Sequence, residues 1–224
     1  MEHISSEMTI DVLKENTFIK LPLIKIFSDK ILAIFLLILT LPVSLLICLA
    51  IKLEGLLVPK NRGPIFHWEE RVTQGKVFNL YKFRIFKLGA GEEIRKGKCP
   101  KDVENRPENL TGVGKILKKI GLDEMPQFWN ILKGDMSFVG PRPKPVAEYQ
   151  AEVDKGIYSR KVIRAGLSGP AQVMKGTVRT YEDQLKADID YVEKCRDASS
   201  IEILLTDFSI LIKTIKVLLK RTGE

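Results

Sequence analysis

The sequence predicts an α+β fold, predominantly helical, built on a membrane anchor, and three observations predict it. A charge-free run extends from Ile31 to Ile51, two strand-like stretches flank a Gln74-Gly75 turn, and the segment from Ile201 to Leu219 repeats Ile and Leu between lysines. At 224 residues the chain has room for an anchor and one modest domain, which excludes a large multidomain machine.

The run Ile31–Ile51 is about 21 residues, or about 30 Å as a straight helix, which is membrane length. A buried core helix and a cleaved signal peptide are the alternatives. Uninterrupted runs of this length are uncommon in soluble domains, and about thirty residues precede this one, with no clean small-x-small cleavage site after it. Pro42 cannot donate a helical N–H, while Thr40 and Ser44 can bond freed backbone groups. The segment therefore reads either as a helix–break–helix hairpin that re-enters one leaflet or as a kinked spanning helix. Lys25 and Lys30 at one end, with Lys52, Lys60 and Arg62 at the other, give no positive-inside asymmetry, so both ends read as cytosolic.

Beyond the anchor, Ile65–Trp68 and Lys76–Phe83 form a predicted β-hairpin. Residues 87–112 are polar and broken by Gly89, Gly91, Gly97, Pro100 and Pro107, which predicts a surface loop or lid. Helical spacing returns at Gly114–Ile120, stops at Gly121 and resumes after Asp123-Glu124-Met125-Pro126. An extended Met136–Val139 leads into Gly140-Pro141-Arg142-Pro143, a turn whose prolines restrict the backbone around an arginine. The last segment reads equally as an amphipathic interfacial helix or as a core-packing helix.

Lys+Arg number 36 against Asp+Glu 28, a formal charge of +8, and residues 1–60 carry six lysines and six acids, so the excess lies in the globular part. Such a surface suits phospholipid headgroups, nucleotides or nucleic acid. No nucleic-acid module accompanies it, and that role would leave the apolar run unexplained, so nucleic acid is not an expected partner. Cys48, Cys99 and Cys195 form no C-x-x-C pair, and His3 and His67 are the only histidines, which argues against zinc, redox and His-based triad chemistry. Catalysis then falls to carboxylates.

Taken locally, Asp123-Glu124 reads as a helix cap, with Glu124 and Gln127 resembling part of a capping box. The functional alternative is that two adjacent carboxylates hold Mg²⁺ while one attacks phosphorus. Lys82, Arg84, Lys118, Lys119, Arg142, Arg160 and Arg164 would then be the candidate phosphate clamps. There is no P-loop or G-x-G-x-x-G fingerprint.

The order of motifs decides between these readings. Tyr81-Lys82-Phe83-Arg84, Leu122-Asp123-Glu124-Met125-Pro126-Gln127-Phe128-Trp129-Asn130 and Lys133-Gly134-Asp135-Met136-Ser137-Phe138-Val139-Gly140-Pro141-Arg142-Pro143 follow one another, with Gly166–Val173 and Asp188–Val192 beyond. This pattern closely resembles the bacterial sugar transferase family, the small monotopic polyprenyl-phosphate phosphoglycosyl transferases, from about residue 24 to Gly223.

The resemblance implies transfer of a sugar 1-phosphate from a UDP-sugar donor to an undecaprenyl phosphate acceptor, releasing UMP, at the cytosolic face of the bacterial inner membrane, as the initiating step of glycan assembly. It implies Mg²⁺, a ping-pong order, Asp123 as the nucleophile that forms a phosphosugar intermediate, and Glu124 as its partner in metal binding. Lys82, Lys118 and Arg142 match phosphate-contacting positions, and Gln127, Arg84, Arg160 and Arg164 are further substrate-binding assignments. It also implies the re-entrant form of the anchor, giving an N-terminal extension over 1–23, an anchor over 24–60 and a cytosolic catalytic domain with interfacial helices over 61–224. A homodimer stays open. Lys118 stands where arginine is common, Gly121 for serine, Ala165 for proline and Pro170 for tryptophan, and Met174-Lys175-Gly176-Thr177 departs from the usual continuation. An inactive membrane scaffold of a glycan-assembly complex is the competing function.

Overall fold

Helix α1, Leu23–Leu57, continues for 35 residues with Pro42 inside it. The computed structural model describes residues 18–95, 100–174 and 180–221; residues 1–17 of the expected extension, Cys99 and Lys175-Gly176-Thr177 lie outside them. Only 11% of the most apolar stretch of α1 is buried within the protein. Ile31, Phe35, Ile38, Leu45 and Leu46 are exposed, so this is not a core helix, and its side chains find an apolar solvent in lipid. The expected division into two helices at Pro42 is not present. Proline removes one N–H without ending the ladder on either side, and Thr40 Oγ1 donates back to the Leu36 carbonyl at 2.6 Å, so two bend-forming features lie within a single helix.

The chain gathers into two units, one from the described residues of 18–30, 71–78 and 134–221, the other from Ile31–Glu70 and Asn79–Lys133. In the second unit α1 ends before a 3-10 turn, Pro59–Asn61; the hairpin of β1 (Phe66–Thr73) and β2 (Lys76–Phe83) that follows has its turn end, 71–78, in the first unit and its other end in the second. Gln74 and Gly75 both have positive φ, 47° and 69°, the left-handed pair that matches the twist of a tight hairpin. Strand β1 runs past the expected Trp68 because its polarity is inverted: His67 and Glu69 face inward while Phe66 and Trp68 face out.

Residues 87–112, predicted as a loop, are largely helical, with α2 (Leu88–Arg95), α3 (Pro100–Glu104) and a 3-10 turn, Pro107–Asn109. Leu88 stays exposed, whereas Ala90, Ile94, Val103 and Leu110 enter a core with Ile47, Ile51, Phe83, Ile85, Phe86, Leu117 and Met125. Tertiary packing of that kind outweighs the poor helix propensity of the intervening glycines.

Helix α4 (Gly112–Ile120) is capped by Thr111, whose hydroxyl accepts from Gly114 N–H at 2.9 Å. Glu54, near the end of α1, accepts from Gly112 N–H at 2.5 Å, Val113 N–H at 3.1 Å and Asn61 Nδ2 at 2.9 Å. Gly121 closes α4 at φ 74°, a left-handed cap that suits glycine where the resemblance expects serine. A 3-10 turn, Leu122–Glu124, then leads to α5 (Gln127–Lys133).

The first unit holds β3 (Ser137–Val139), α6 (Val146–Val153), α7 (Ser159–Val162), β4 (Gly166–Ser168), α8 (Pro170–Val173), α9 (Tyr181–Asp197) and α10 (Ser200–Arg221). Strands β3 and β4 are parallel, with Ser137 opposite Gly166 and Val139 opposite Ser168. Two departures from the family pattern find their use here. Ala165 N–H donates to Thr73 Oγ1 at 3.0 Å, a bond proline could not make, and Pro170 opens α8, where proline is favoured. In α10 Ile203 and Ile210 are buried, as the core-packing reading expects, while Ile201, Leu205, Phe208, Ile212 and Ile215 form an exposed apolar stripe.

The root of α1 is fastened by charge within this unit. Lys25, fully buried, bonds Asp207 and lies 3.8 Å from Asp29; Asp29 accepts from Ser137 Oγ at 2.7 Å and Asp207 from Tyr191 at 2.8 Å.

A Cβ added at Gly114 would lie 2.2 Å from the Ile85 carbonyl oxygen. Helix propensity alone gives Gly114→Ala a gain of about 1 kcal/mol. The backbone contact reverses the sign, and thermal melts in detergent are expected to show a loss of about 2–3 kcal/mol.

Candidate active site

The turn after α4 places Asp123 in the second unit, almost completely buried, with Glu124 half-buried beside it. Neither residue caps a helix: the 3-10 turn has no side-chain cap, and α5 begins only at Gln127. The local reading of the pair as a cap therefore fails on geometry. Burial pushes the Asp123 carboxyl up to about 6, the charges of Glu124 and Glu104 push the same way, and Lys82 opposes them. A carboxylate kept this far from water is poorly solvated and correspondingly reactive once ionised.

Lys82 reaches the site from β2. Its ammonium is buried, 3.2 Å from Glu69 Oε1 and 3.8 Å from Glu104 Oε1. Glu104, on α3, also holds Lys118: the lysine donates to the Glu104 carbonyl at 2.8 Å and lies 3.5 Å from its carboxylate. Glu69 and Glu104 were not singled out from sequence. The inverted alternation of β1, which turns His67 and Glu69 inward, was the available signal for the first. Glu104 sits in the stretch read as loop and gave none.

Helix α5 is joined to β2 by Asn130, whose Nδ2 donates to the Asn79 carbonyl at 2.7 Å while its Oδ1 accepts from Tyr81 N–H at 3.0 Å. This amide clamp fixes the strand on both sides of Leu80, two residues before Lys82. Gln127 is 2% exposed and its Nε2 has no hydrogen-bond partner, a buried donor in the first turn of α5.

Asp123, Glu124, Lys82, Lys118 and Gln127 thus belong to one unit, and Arg84 belongs to it too, in a different role. Its guanidinium donates to the carbonyls of Pro64 at 2.6 Å, Phe86 at 2.7 Å and Asn61 at 2.9 Å and is buried. Burial lowers its pKa and Glu54 opposes that shift. Arg142, Arg160 and Arg164 lie in the other unit. Arg142 is exposed, Arg160 is buried among protein acceptors, and Arg164 is half-buried with an unpartnered Nε.

Asp123 and Glu124 fit a Mg²⁺ ion in one specific way. Burial, and then the neighbouring charge of Glu124, raise the Asp123 carboxyl, a shift that a cation at the pair would oppose, and Mg²⁺ characteristically takes one or two carboxylates together with waters and substrate phosphates. No cluster of three metal-binding side chains occurs among the described residues, so a cage made of protein alone does not fit.

Comparison with known proteins agrees with this chemistry. A family model described as "Bacterial sugar transferase" matches residues 21–221. The UDP-N-acetylgalactosamine-undecaprenyl-phosphate N-acetylgalactosaminephosphotransferase of Aeromonas hydrophila is 32% identical over 235 residues, covering 99% of this chain and 51% of the relative. The undecaprenyl-phosphate galactose phosphotransferase of Salmonella typhimurium is 35% identical over 178 residues, covering 74% and 36%. The UDP-glucose:undecaprenyl-phosphate glucose-1-phosphate transferase of Escherichia coli is 33% identical over 180 residues, covering 77% and 36%. The chain spans about half the length of the first of these curated relatives and just over a third of the other two.

Because the folded pKa of Asp123 lies above that of the unfolded chain, its proton is bound more tightly in the folded state, and its ionisation destabilises the fold. That burden is absent below about pH 4, grows as pH rises towards 6, and is constant above. In metal-free protein with EDTA, Asp123→Asn is expected to melt level with the native chain at pH 4. At pH 7 it is expected to melt about 5–10 °C higher, corresponding to roughly 2–3 kcal/mol. Equal melting temperatures at pH 7 would remove the argument for a desolvated carboxylate.

Proposed function

Because the chain belongs to the bacterial sugar transferase family, we propose that it transfers a sugar 1-phosphate from a UDP-sugar to undecaprenyl phosphate and releases UMP. The observation that carries this reading is the desolvated Asp123 carboxylate beside Glu124 and the buried Lys82 ammonium. That combination suits nucleophilic attack on a phosphoryl group, and both ends of the proposed reaction appear in the names of the relatives.

Ionised Asp123 attacks the phosphorus that carries the sugar. The bond from that phosphorus to the bridging oxygen breaks, its electron pair leaves with UMP, and a sugar-phosphoryl aspartate forms. An oxygen of undecaprenyl phosphate then attacks the same phosphorus and returns the Asp123 carboxylate. Lys82 and Lys118 neutralise the pyrophosphate, and Gln127 offers a buried amide donor. By the family resemblance Arg142 and Arg164, in the first unit, are further candidates for phosphate contact. Glu124 and Asp123 would hold Mg²⁺, which when bound supplies charge neutralisation at the transferring phosphate. Two half-reactions keep two polyanions from occupying one small site together.

The acceptor headgroup stays at the membrane surface, so a nucleophile near the end of a lipid-embedded helix meets it without extracting the lipid. We place the protein on the cytosolic face of the bacterial inner membrane, with α1 re-entering by a bend about Pro42.

The test is UMP release from a panel of UDP-sugars, with detergent-solubilised protein, Mg²⁺ and undecaprenyl phosphate. One donor is expected to support turnover, and Asp123→Asn to lower it by at least about 10³-fold. Without acceptor, intact mass should show a sugar-phosphate adduct on the native chain and none on the variant. Undiminished release by Asp123→Asn would refute Asp123 as nucleophile. Tags at the two termini should be labelled from the same side of the membrane, and labelling from opposite sides would establish a spanning helix instead.

A further inference from the structure

We propose that Arg160 is a positioning residue that fixes the turn presenting Arg142, rather than a phosphate ligand. The proposal rests on the reading that Arg142 meets the donor's phosphates. Arg160 Nε donates to the Arg142 carbonyl at 2.8 Å, Nη1 to Glu152 at 3.0 Å and to Ser159 Oγ at 3.2 Å, and Nη2 to Asp188 at 2.8 Å. Arg160, Glu152 and Asp188 are 6%, 4% and 2% exposed, so no part of the fork is offered to a ligand.

Everything around Arg142 is held in the same way. Gly140 N–H donates to the Ser168 carbonyl and Gly166 N–H to the Pro141 carbonyl, both at 2.9 Å, and Val72 N–H donates to the Lys144 carbonyl at 3.0 Å. Pro141 and Pro143 fix φ on either side. A Cβ at Gly140 would lie 2.6 Å from the Arg164 carbonyl oxygen, so the turn sits directly on the neighbouring backbone. Arg142 is exposed, and Arg160 is the side chain that holds its carbonyl.

The supporting charges balance. Glu152 also accepts from Lys144 Nζ and from the Tyr181 hydroxyl, each at 2.5 Å. Two cations thus face two buried anions, and the three-pronged geometry needs a planar fork. A lysine at 160 could keep the charge but reach only part of the set.

The experiment compares the native chain with Arg160→Lys, Arg142→Ala and the double variant. Arg160→Lys should raise KM for the UDP-sugar about tenfold with kcat within about threefold, and should add nothing in the Arg142→Ala background. An equal penalty in both backgrounds would overturn the proposal. Hydrogen exchange gives a readout independent of turnover: the amides of Gly140, Arg142 and Lys144 should lose protection in Arg160→Lys while α4 and α5 keep theirs, and unchanged protection at those three would also overturn it. If the native chain turns over no donor, the reaction reading fails while exchange still decides the positioning role. If Arg160→Lys does not fold, Glu152→Gln should show the same local loss at smaller size, and a folded Glu152→Gln without it counts against the proposal.

Discussion

Glu54 ties the long apolar helix to the short helix that leads to the acidic pair. The first N–H groups of any helix lack partners within it. In α4 one is taken by Thr111 next door, and two by a carboxylate 58 and 59 positions earlier in the chain. Nine residues of α4 then span about 13 Å before Gly121 turns the chain into Leu122-Asp123-Glu124. The distance from the anchor's end to Asp123 is therefore set by one short, capped helix. Arg84 secures the same junction by holding the carbonyls of Asn61 and Pro64, where the chain leaves α1, to that of Phe86 beyond β2. Removing such a buried cation leaves three acceptors unsatisfied, which costs more than its own bonds contribute.

The interior beside Asp123 is charged, and burying those charges carries a desolvation cost. An ordinary hairpin would turn Phe66 and Trp68 inward; here His67 and Glu69 take those positions, and Glu69 meets Lys82. Glu104 contributes a second carboxylate that engages both Lys82 and Lys118. Replacing such ion pairs with apolar residues is often neutral or stabilising, so these buried charges are not explained by stability alone. The arginines divide by the same logic. Arg84 and Arg160 are buried with their forks on protein acceptors, whereas Arg142 is exposed on a turn that its surroundings hold still.

Much of this was legible before the fold. The apolar run of α1, the Gln74-Gly75 turn and the Leu122–Asn130 motif are local signals, and each marks a real element because length, turn chemistry or residue order is sufficient to specify it. The stretch 87–112 misled for the converse reason: its four core residues are sparse, and only packing against Phe83, Ile85 and Leu117 makes their spacing helical. At Pro42 the helix continues where a break into two was expected, since a proline permits a bend without ending the ladder.

By itself the sequence determined the membrane helix, the family and the identity of the acidic pair, since hydropathy and a long ordered motif need no third dimension. Only the tertiary structure decided that Asp123 is buried, that Glu69 and Glu104 attend Lys82, and that the guanidinium groups of Arg84 and Arg160 lie on protein acceptors. Desolvation and ion pairing depend on distances between residues far apart in the chain, and residue type alone does not encode those distances.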